Sequence, residues 1–528
     1  MRFLRSVLIA LSLPPTAFTL AATNPSAPIV KIASGEVRGS YSGNLMVFRG
    51  VPFAAPPTGA LRWRPPQPVP PWSGVRDATN FGHTCYHIIP QPNDAPPRAT
   101  NSEDCLYINV WAPRQHGSTS LPVMVWIYGG GFVIGDSSPA VYDGSLFAKK
   151  GMVFVSFNYR LNRFGFFAFP ALLKEPGPHG SYEIMDQIAA LKWVQQNIAA
   201  FGGNPREVTI FGQSAGGISV SMLLSSPQAS GLFARAIIES GGGRAGLDEV
   251  PINSPGPNGE HSAAQVGVNF ARSVGIDGTG AAALAALRHL PPDRVVAGLG
   301  EAGPRAPRGP RTYSGPILDG VVLTHTIEAT YKTCLQAKVP VMVGATSGDL
   351  GFSSGRTLAA IFVPFGKDAA QAEKVFDVKP TQSVAQVGQE VGAVRTMIEP
   401  ARFVAQQVSN CGAPAYEYRF SYVAAPMRNQ FHGAPHASEV PYVFGTLRDS
   451  RFANFGKGLT PEAYRLSSQI NDYWVNFAKT GDPNGSGLPL WPKYSRSRNV
   501  LMNFTTTGPK AELDPWAARL DLVEKIQK

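Results

Sequence analysis

Residues 208–217 read VTIFGQSAGG. A β-branched apolar run, Val208 to Phe211, meets Gly212-Gln213-Ser214-Ala215-Gly216, and a small-residue helical pattern follows. The pattern predicts a strand, a sharp turn with a serine at its apex, and a helix. Such a turn is tight enough to require glycine on both sides of the serine, and it lifts the hydroxyl clear of the sheet. A glycine-flanked serine recurs by chance. The strand before it and the helix after it are what mark Ser214 as a candidate nucleophile rather than part of a plain Gly-rich turn.

The rest of the chain supplies a sheet for that turn to stand on. Leu121 to Tyr128, Met152 to Tyr159, Ala234 to Glu239, Val339 to Val343 and Ala415 to Phe420 read as buried strands. Between the second of these and Val208 lies a helix over 183–201, with Ile184, Ile188, Leu191, Val194, Ile198 and Phe201 on a 3.6 period. A further helix runs over Asn471 to Thr480 and is stopped by Gly481-Asp482-Pro483. Ile29 to Phe53 predicts antiparallel strands at the start of the sheet, and a Pro-rich irregular stretch follows to about Pro97. Strands alternating with helices imply an α/β fold: a large, mostly parallel sheet with helices on both faces and long insertions. No repeat or low-complexity linker divides the 528 residues, so 23–528 reads as one domain.

Residues 1–22 read as a secretory signal. Arg2 and Arg5 precede a short apolar core, Ser6 to Leu13, which Pro14 and Pro15 break before Ala21 and Ala22 offer a cleavage site. No run approaches the ~20 apolar residues of a spanning helix. The expected protein is therefore exported, periplasmic or extracellular, with no membrane span. The formal net charge of +11 is scattered, without the compact basic block of a nucleic-acid binder. One local concentration, GPRAPRGPR at 303–311, spaces Arg305, Arg308 and Arg311 along one edge of a polyproline-II stretch. It reads as an exposed loop, or as a charged lip that attracts anionic substrates. Four cysteines, Cys85, Cys105, Cys334 and Cys411, fit two disulfides in an exported chain. They lack zinc spacing, and Pro435 between His432 and His436 argues against a metal-binding helix.

A serine hydroxyl needs a base within hydrogen-bond reach, and the base needs a third group to fix its tautomer. Asp349 sits in the loop at the C-terminal edge of the Val339–Val343 strand, where parallel sheets place their sites. Asp319, in the loop before that strand, is the rival and equally suits a turn. Candidate bases are His432 and His436, both in the loop beyond Ala415–Phe420. Local chemistry barely separates them. WIYGGGF, 126–132, ends a strand in three glycines whose backbone can approach a substrate carbonyl, and the Ala215 amide follows the serine.

At this point the chain resembles the type-B carboxylesterase/cholinesterase family, of α/β-hydrolase fold. The resemblance is carried by GVPFAAPPTGALRWRPPQP (50–68), SEDCLYINVWAP (102–113), VMVWIYGGGFVIGDSS (123–138), NYRLNRFGFFA (158–168), DQIAALKWVQQNIAAFGGNP (186–205), VTIFGQSAGG, LFARAIIESG (232–241), EVPYVFG (439–445) and WVNFAKTGDPN (474–484). It implies Ser214 as nucleophile, Asp349 as acid and His436, three residues before Glu439, as base. It also implies an oxyanion hole from Gly130, Gly131 and Ala215, and a Cys85–Cys105 disulfide contributing about 3 kcal/mol by loop entropy. The chain departs from the family pattern at Gln213, usually Glu, and at Ala437, usually Gly. Ser181 and Glu183 replace small and amide residues, and Asp349 is one methylene shorter than the usual Glu. Cys334 and Cys411 match no second family disulfide, yet each precedes a predicted parallel strand and is expected to pair with the other.

The expected activity is hydrolysis of carboxylic esters, without metal or organic cofactor. The rivals are an amidase or carbamate hydrolase using the same groups, and a non-catalytic binding protein. The arginine lip adds anionic, polycarboxylic esters as a substrate class. Oligomeric state is not legible.

Overall fold

The computed structural model describes residues 27–88, 101–115, 120–244, 249–256, 259–299, 309–351, 353, 355–449 and 459–527. The signal segment 1–22, and Arg305 and Arg308 of the arginine-rich stretch, lie outside the described residues.

An eleven-stranded sheet organises the molecule. In chain order its strands are β1 (Ser40–Ser42), β2 (Leu45–Pro52), β3 (Tyr107–Pro113), β4 (Leu121–Ile127), β5 (Val153–Phe157), β6 (Gly203–Gln213), β7 (Arg235–Glu239), β8 (Val341–Thr346), β9 (Ala415–Phe420), β10 (Val500–Thr505) and β11 (Gly508–Leu513). Across the sheet the order is β11-β10-β9-β8-β7-β6-β4-β5-β3-β2-β1. From β5 through β10 all neighbours are parallel. The remaining pairings, β1 to β2, β2 to β3, β3 to β5 and β10 to β11, are antiparallel. The central strands are near-continuous Val, Ile, Met and Phe because they are covered on both faces. Every residue of β5, β8 and β9 is buried.

The helices that bear on the site are α1 (Tyr182–Asn197), α2 (Ala215–Ser225), α3 (Ile327–Lys332), α4 (Glu399–Asn410), α5 (Pro461–Thr480) and α6 (Ala517–Ile526). The apolar stripe of α1 is present, but the helix is buried well beyond one face. Glu183, Asp186 and Gln187 are also fully buried. Asp186 is held by Arg160 at 2.7 Å, and Gln187 Nε2 donates to Ser219 Oγ at 2.9 Å. The C-terminal helix expected over Asn471–Thr480 is twenty residues long, starting at Pro461. Its start lies in a polar segment, where the Thr460 hydroxyl accepts the Ala463 amide as N-cap and Pro461 takes the first helical position.

Most of the interior forms one apolar cluster around the sheet. A second, separate cluster joins the helical segment 358–398 (Ile361, Phe362, Phe365, Phe376, Val387, Val391, Ile398) to Leu520, Leu522 and Val523 of α6, and meets the sheet at Ala345 of β8. Arg519 of α6 ties the two parts together. Its guanidinium pairs with Glu390 and donates to the carbonyls of Val375 and Phe376.

Both cysteine pairs are disulfides. Cys85–Cys105 closes the Pro-rich segment. Cys334 and Cys411 precede β8 and β9, which are adjacent with Val341 opposite Ala415. The shared sheet edge brings their Cα atoms to 5.5 Å.

Candidate active site

The serine turn is built by steric exclusion. Ser214 holds φ 58°, ψ −127°, a conformation an L-residue adopts only under constraint. A Cβ on Gly216 would lie 2.0 Å from the Ile127 carbonyl, and one on Gly212 2.6 Å from the Gly216 backbone. Only glycine fits at either position, so β6 and α2 close tightly around the serine. Across the sheet, the Ser214 amide donates to the Glu239 carbonyl at 2.9 Å, while the Ser214 carbonyl accepts from Ile218. The side chain remains partly accessible.

The glycine turn after β4 packs against the same point. A Cβ on Gly129 would fall 2.5 Å from the Gln213 carbonyl and 2.9 Å from Ser214 Cβ. Gly130 and Gly131 take φ 130° and 62°, and the Gly130 carbonyl accepts from Val133 and Ile134. Ala215 is the first residue of α2. Gly129, just before Gly130 and Gly131, thus packs against Ser214, and Ala215 follows it directly.

Asp349 and His436 come from two loops that are zipped together. Gly348 N donates to the Ala434 carbonyl at 2.8 Å, Ala434 N donates to Ser347 Oγ at 2.9 Å, and Gly348 and Pro435 form a bridge. Gly348 and Gly433 approach so closely that a Cβ on either would be 2.9 Å from the other's backbone. The Asp349 carboxylate then accepts a hydrogen bond from His436 Nδ1. His436 Nε2 lies 3.2 Å from Gln213 Nε2. Since Nδ1–H donates to the carboxylate, Nε2 carries the lone pair and faces the end of β6 at Gln213. Ala437, at φ 65°, takes the left-handed conformation that favours glycine.

Asp349 is 1% exposed. Burial raises its proton affinity, but the charge and hydrogen bond of His436, the Ser240 hydroxyl at 2.6 Å and the Leu350 amide outweigh this and hold the carboxyl below its ordinary value. The rivals lie elsewhere. Asp319 Oδ1 accepts the amides of Val321, Val322 and Leu323, as a turn residue does. His432 is exposed.

Two further acids escaped the sequence reading. Glu239, at the end of β7, is fully buried; burial raises its carboxyl to about 8 against the hydrogen bond from Trp474 Nε1 at 2.7 Å. Glu439, three residues after His436, is pushed well above the ordinary range by burial and by Glu239 and Asp349. Burial thus favours the protonated form of both, whereas Asp349 is held toward its ionised form against His436. The readable signal was a charged residue ending an apolar strand, as in ARAIIE. Ser240 was likewise missed, because nothing local distinguishes a serine that touches a distant loop.

The sequence pattern of the Carboxylesterase family matches residues 26–375 and 377–521. Fumonisin B1 esterase of Sphingopyxis macrogoltabida is 34% identical over 510 residues, covering 93% of this chain and 88% of that protein. Para-nitrobenzyl esterase of Bacillus subtilis (strain 168) is 35% identical over 493 residues, covering 90% and 94%. Among solved structures, a PNB esterase aligns with TM-score 0.78 at 31% identity over 94% of this chain and 99% of its own. A carboxylesterase of Geobacillus stearothermophilus gives the same TM-score, identity and coverage. The mixed sheet, parallel at its centre and carrying this turn at the C-terminal edge of β6, is an α/β-hydrolase fold. The chain belongs to the carboxylesterase family and is a carboxylic-ester hydrolase.

Proposed function

We propose that ester hydrolysis runs through Ser214, His436 and Asp349 by way of an acyl-enzyme. Ser214 Oγ attacks the ester carbonyl while His436 Nε2 takes its proton. Asp349 fixes the tautomer and stabilises the imidazolium. The amides of Gly130, Gly131 and Ala215 stabilise the oxyanion. His436 then protonates the leaving alcohol, and water, deprotonated by the same imidazole, clears the acyl group. The observation that carries this reading is the hydrogen bond from His436 Nδ1 to Asp349, with Nε2 presented beside the residue preceding Ser214. Ser214→Ala is expected to abolish turnover of a short aryl ester, with an unchanged circular dichroism spectrum and no covalent labelling by a fluorophosphonate. Retained turnover would refute the assignment. Matched ester and amide substrates separate an esterase from an amidase or carbamate hydrolase with the same triad. Absence of labelling in the unmodified chain would leave only a binding role.

The mature chain is read as one exported domain over 23–528, a reading that the two disulfides support. An anionic ester as natural substrate rests on the arginine-rich stretch. Within it, Arg311 is turned back on its own loop, donating to the carbonyls of Tyr313 and Ser314. A matched neutral and anionic ester pair, assayed at two salt concentrations, tests this class. A steering charge must lose its effect as salt rises.

A further inference from the structure

Ser240 follows β7 directly, its amide donating to the Gly344 carbonyl of β8 at 2.8 Å, and the loop beyond it is glycine-rich. The segment is Ser240-Gly241-Gly242-Gly243-Arg244. Ser240 takes φ 46°, Gly242 62° and Gly243 141°, so three of these residues occupy conformations disfavoured for L side chains. The three glycines offer no side chains to pack, and their absence of Cβ is used for close approach. A Cβ on Gly241 would lie 2.5 Å from the backbone of Gly217 in α2, and one on Gly243 2.3 Å from Val404 Cγ2 in α4. The loop is therefore wedged between the helix that follows Ser214 and the helix α4. At its near end Ser240 Oγ donates to Asp349 Oδ2 at 2.6 Å.

At its far end is Arg244, whose side chain is 3% exposed. Nη1 lies 3.2 Å from Glu399 Oε1, at the start of α4, and Nε lies 3.7 Å from Glu328 Oε1 in α3. The guanidinium also covers the Phe403 ring at 4.6 Å. Burying an ion pair gives little net stability, since desolvation offsets the attraction. The hydrogen bond from Nη1 to Glu399 and the contact over Phe403 instead fix where the loop ends.

We propose that Arg244, anchored by Glu399, is a positioning residue for ester hydrolysis: it holds the glycine loop in register so that Ser240 keeps Asp349 oriented toward His436. The inference rests on the triad reading given above. The contacts of Arg244 are with Glu399, Glu328 and Phe403, so it acts on the triad through Ser240.

A double-mutant cycle tests it. Arg244→Gln is expected to lower kcat at least tenfold with KM within threefold. Ser240→Ala is expected to lower kcat by a similar factor, and the double variant no further than the larger single effect, because both act on one contact. Arg244→Lys, which keeps the charge toward Glu399, stays within threefold of the unmodified enzyme. The downfield proton resonance of His436 Nδ1 moves in Arg244→Gln and Ser240→Ala alike. Glu399→Gln, a near-isosteric change, repeats the cycle should Arg244→Gln fail to fold. Unchanged kcat in Arg244→Gln, or effects that multiply in the double variant, would overturn the proposal. Loss of folded protein in both the Arg244 and Glu399 variants would assign the pair to stability and overturn it too. Failure of the unmodified enzyme to take a fluorophosphonate on Ser214 would instead count against the triad.

Discussion

Gln213 puts a neutral amide where a carboxylate would face the same imidazole. Its Nε2 lies 3.2 Å from His436 Nε2, in a pocket where Gln213 is 5% exposed. At such separations a unit charge interacts with an imidazolium by a few kcal/mol even at an effective dielectric of ~20. Gln213→Glu is therefore expected to favour protonated His436 and to move the acidic limb of kcat/KM upward by about one pH unit or more. A pH–rate profile of the two proteins measures it, and an unmoved limb would show that position 213 does not sense the charge of the base. At this scale the sequence was partly legible. The turn at Ser214 was readable because it needs glycines at fixed places, and the loop of Asp349 because it follows a strand end. His436 could not be separated from His432 by local chemistry. What separates them is the contact of two loops 87 residues apart in the chain, a tertiary fact.

Strands were the most legible elements, since burial on both faces writes them as apolar runs. The reading stopped short where other physics decides. β6 begins at Gly203, before the apolar run, across an irregularity between Gly203 and Val208. The first half of α5 is set by a cap and a proline in a polar stretch. β3, β10 and β11 were not singled out as strands, and β10 and β11 form an antiparallel hairpin at the sheet edge whose β11 is nowhere fully buried. The elbow between β6 and α2 gives a prediction of its own. Gly216→Ala places a methyl 2.0 Å from the Ile127 carbonyl, a backbone atom that cannot yield without moving β4. The variant is expected to lose about 2 kcal/mol or more in urea unfolding and most of its activity. Wild-type activity would show that the turn is looser than this packing implies.

Across the whole molecule, several buried carboxyls take up protons more readily than they do in an unfolded chain. Glu239 is raised to about 8 and Glu399 to about 7, in both cases chiefly by burial. Each binds more protons folded than unfolded between its unfolded value near 4.5 and its raised value. Their contribution to stability is thus fully present below about pH 4.5 and is lost as pH rises toward 7 to 8. Asp349 has the opposite sign: its depressed carboxyl contributes above the unfolded value, and that contribution is lost as pH falls through the folded one. Glu239→Gln keeps an acceptor for Trp474 and removes the ionisation. Its melting temperature is expected to fall less between pH 5 and 8 than that of the unmodified chain. Scanning calorimetry across that range decides the matter, and identical slopes would mean that Glu239 does not titrate there.

The second apolar cluster has a consequence for how the enzyme fails. The chain passes from Asp349 almost directly into the helices of that cluster, and Thr396 Oγ1 reaches back to the Leu350 carbonyl at 2.8 Å. The cluster is closed by α6, near the C-terminus. Warming that frays this tail would let the acid drift while the great sheet is still intact. Catalysis should therefore fade several degrees before the far-ultraviolet signal does, and clipping the chain after Asp514 should leave a folded body with little appetite for esters.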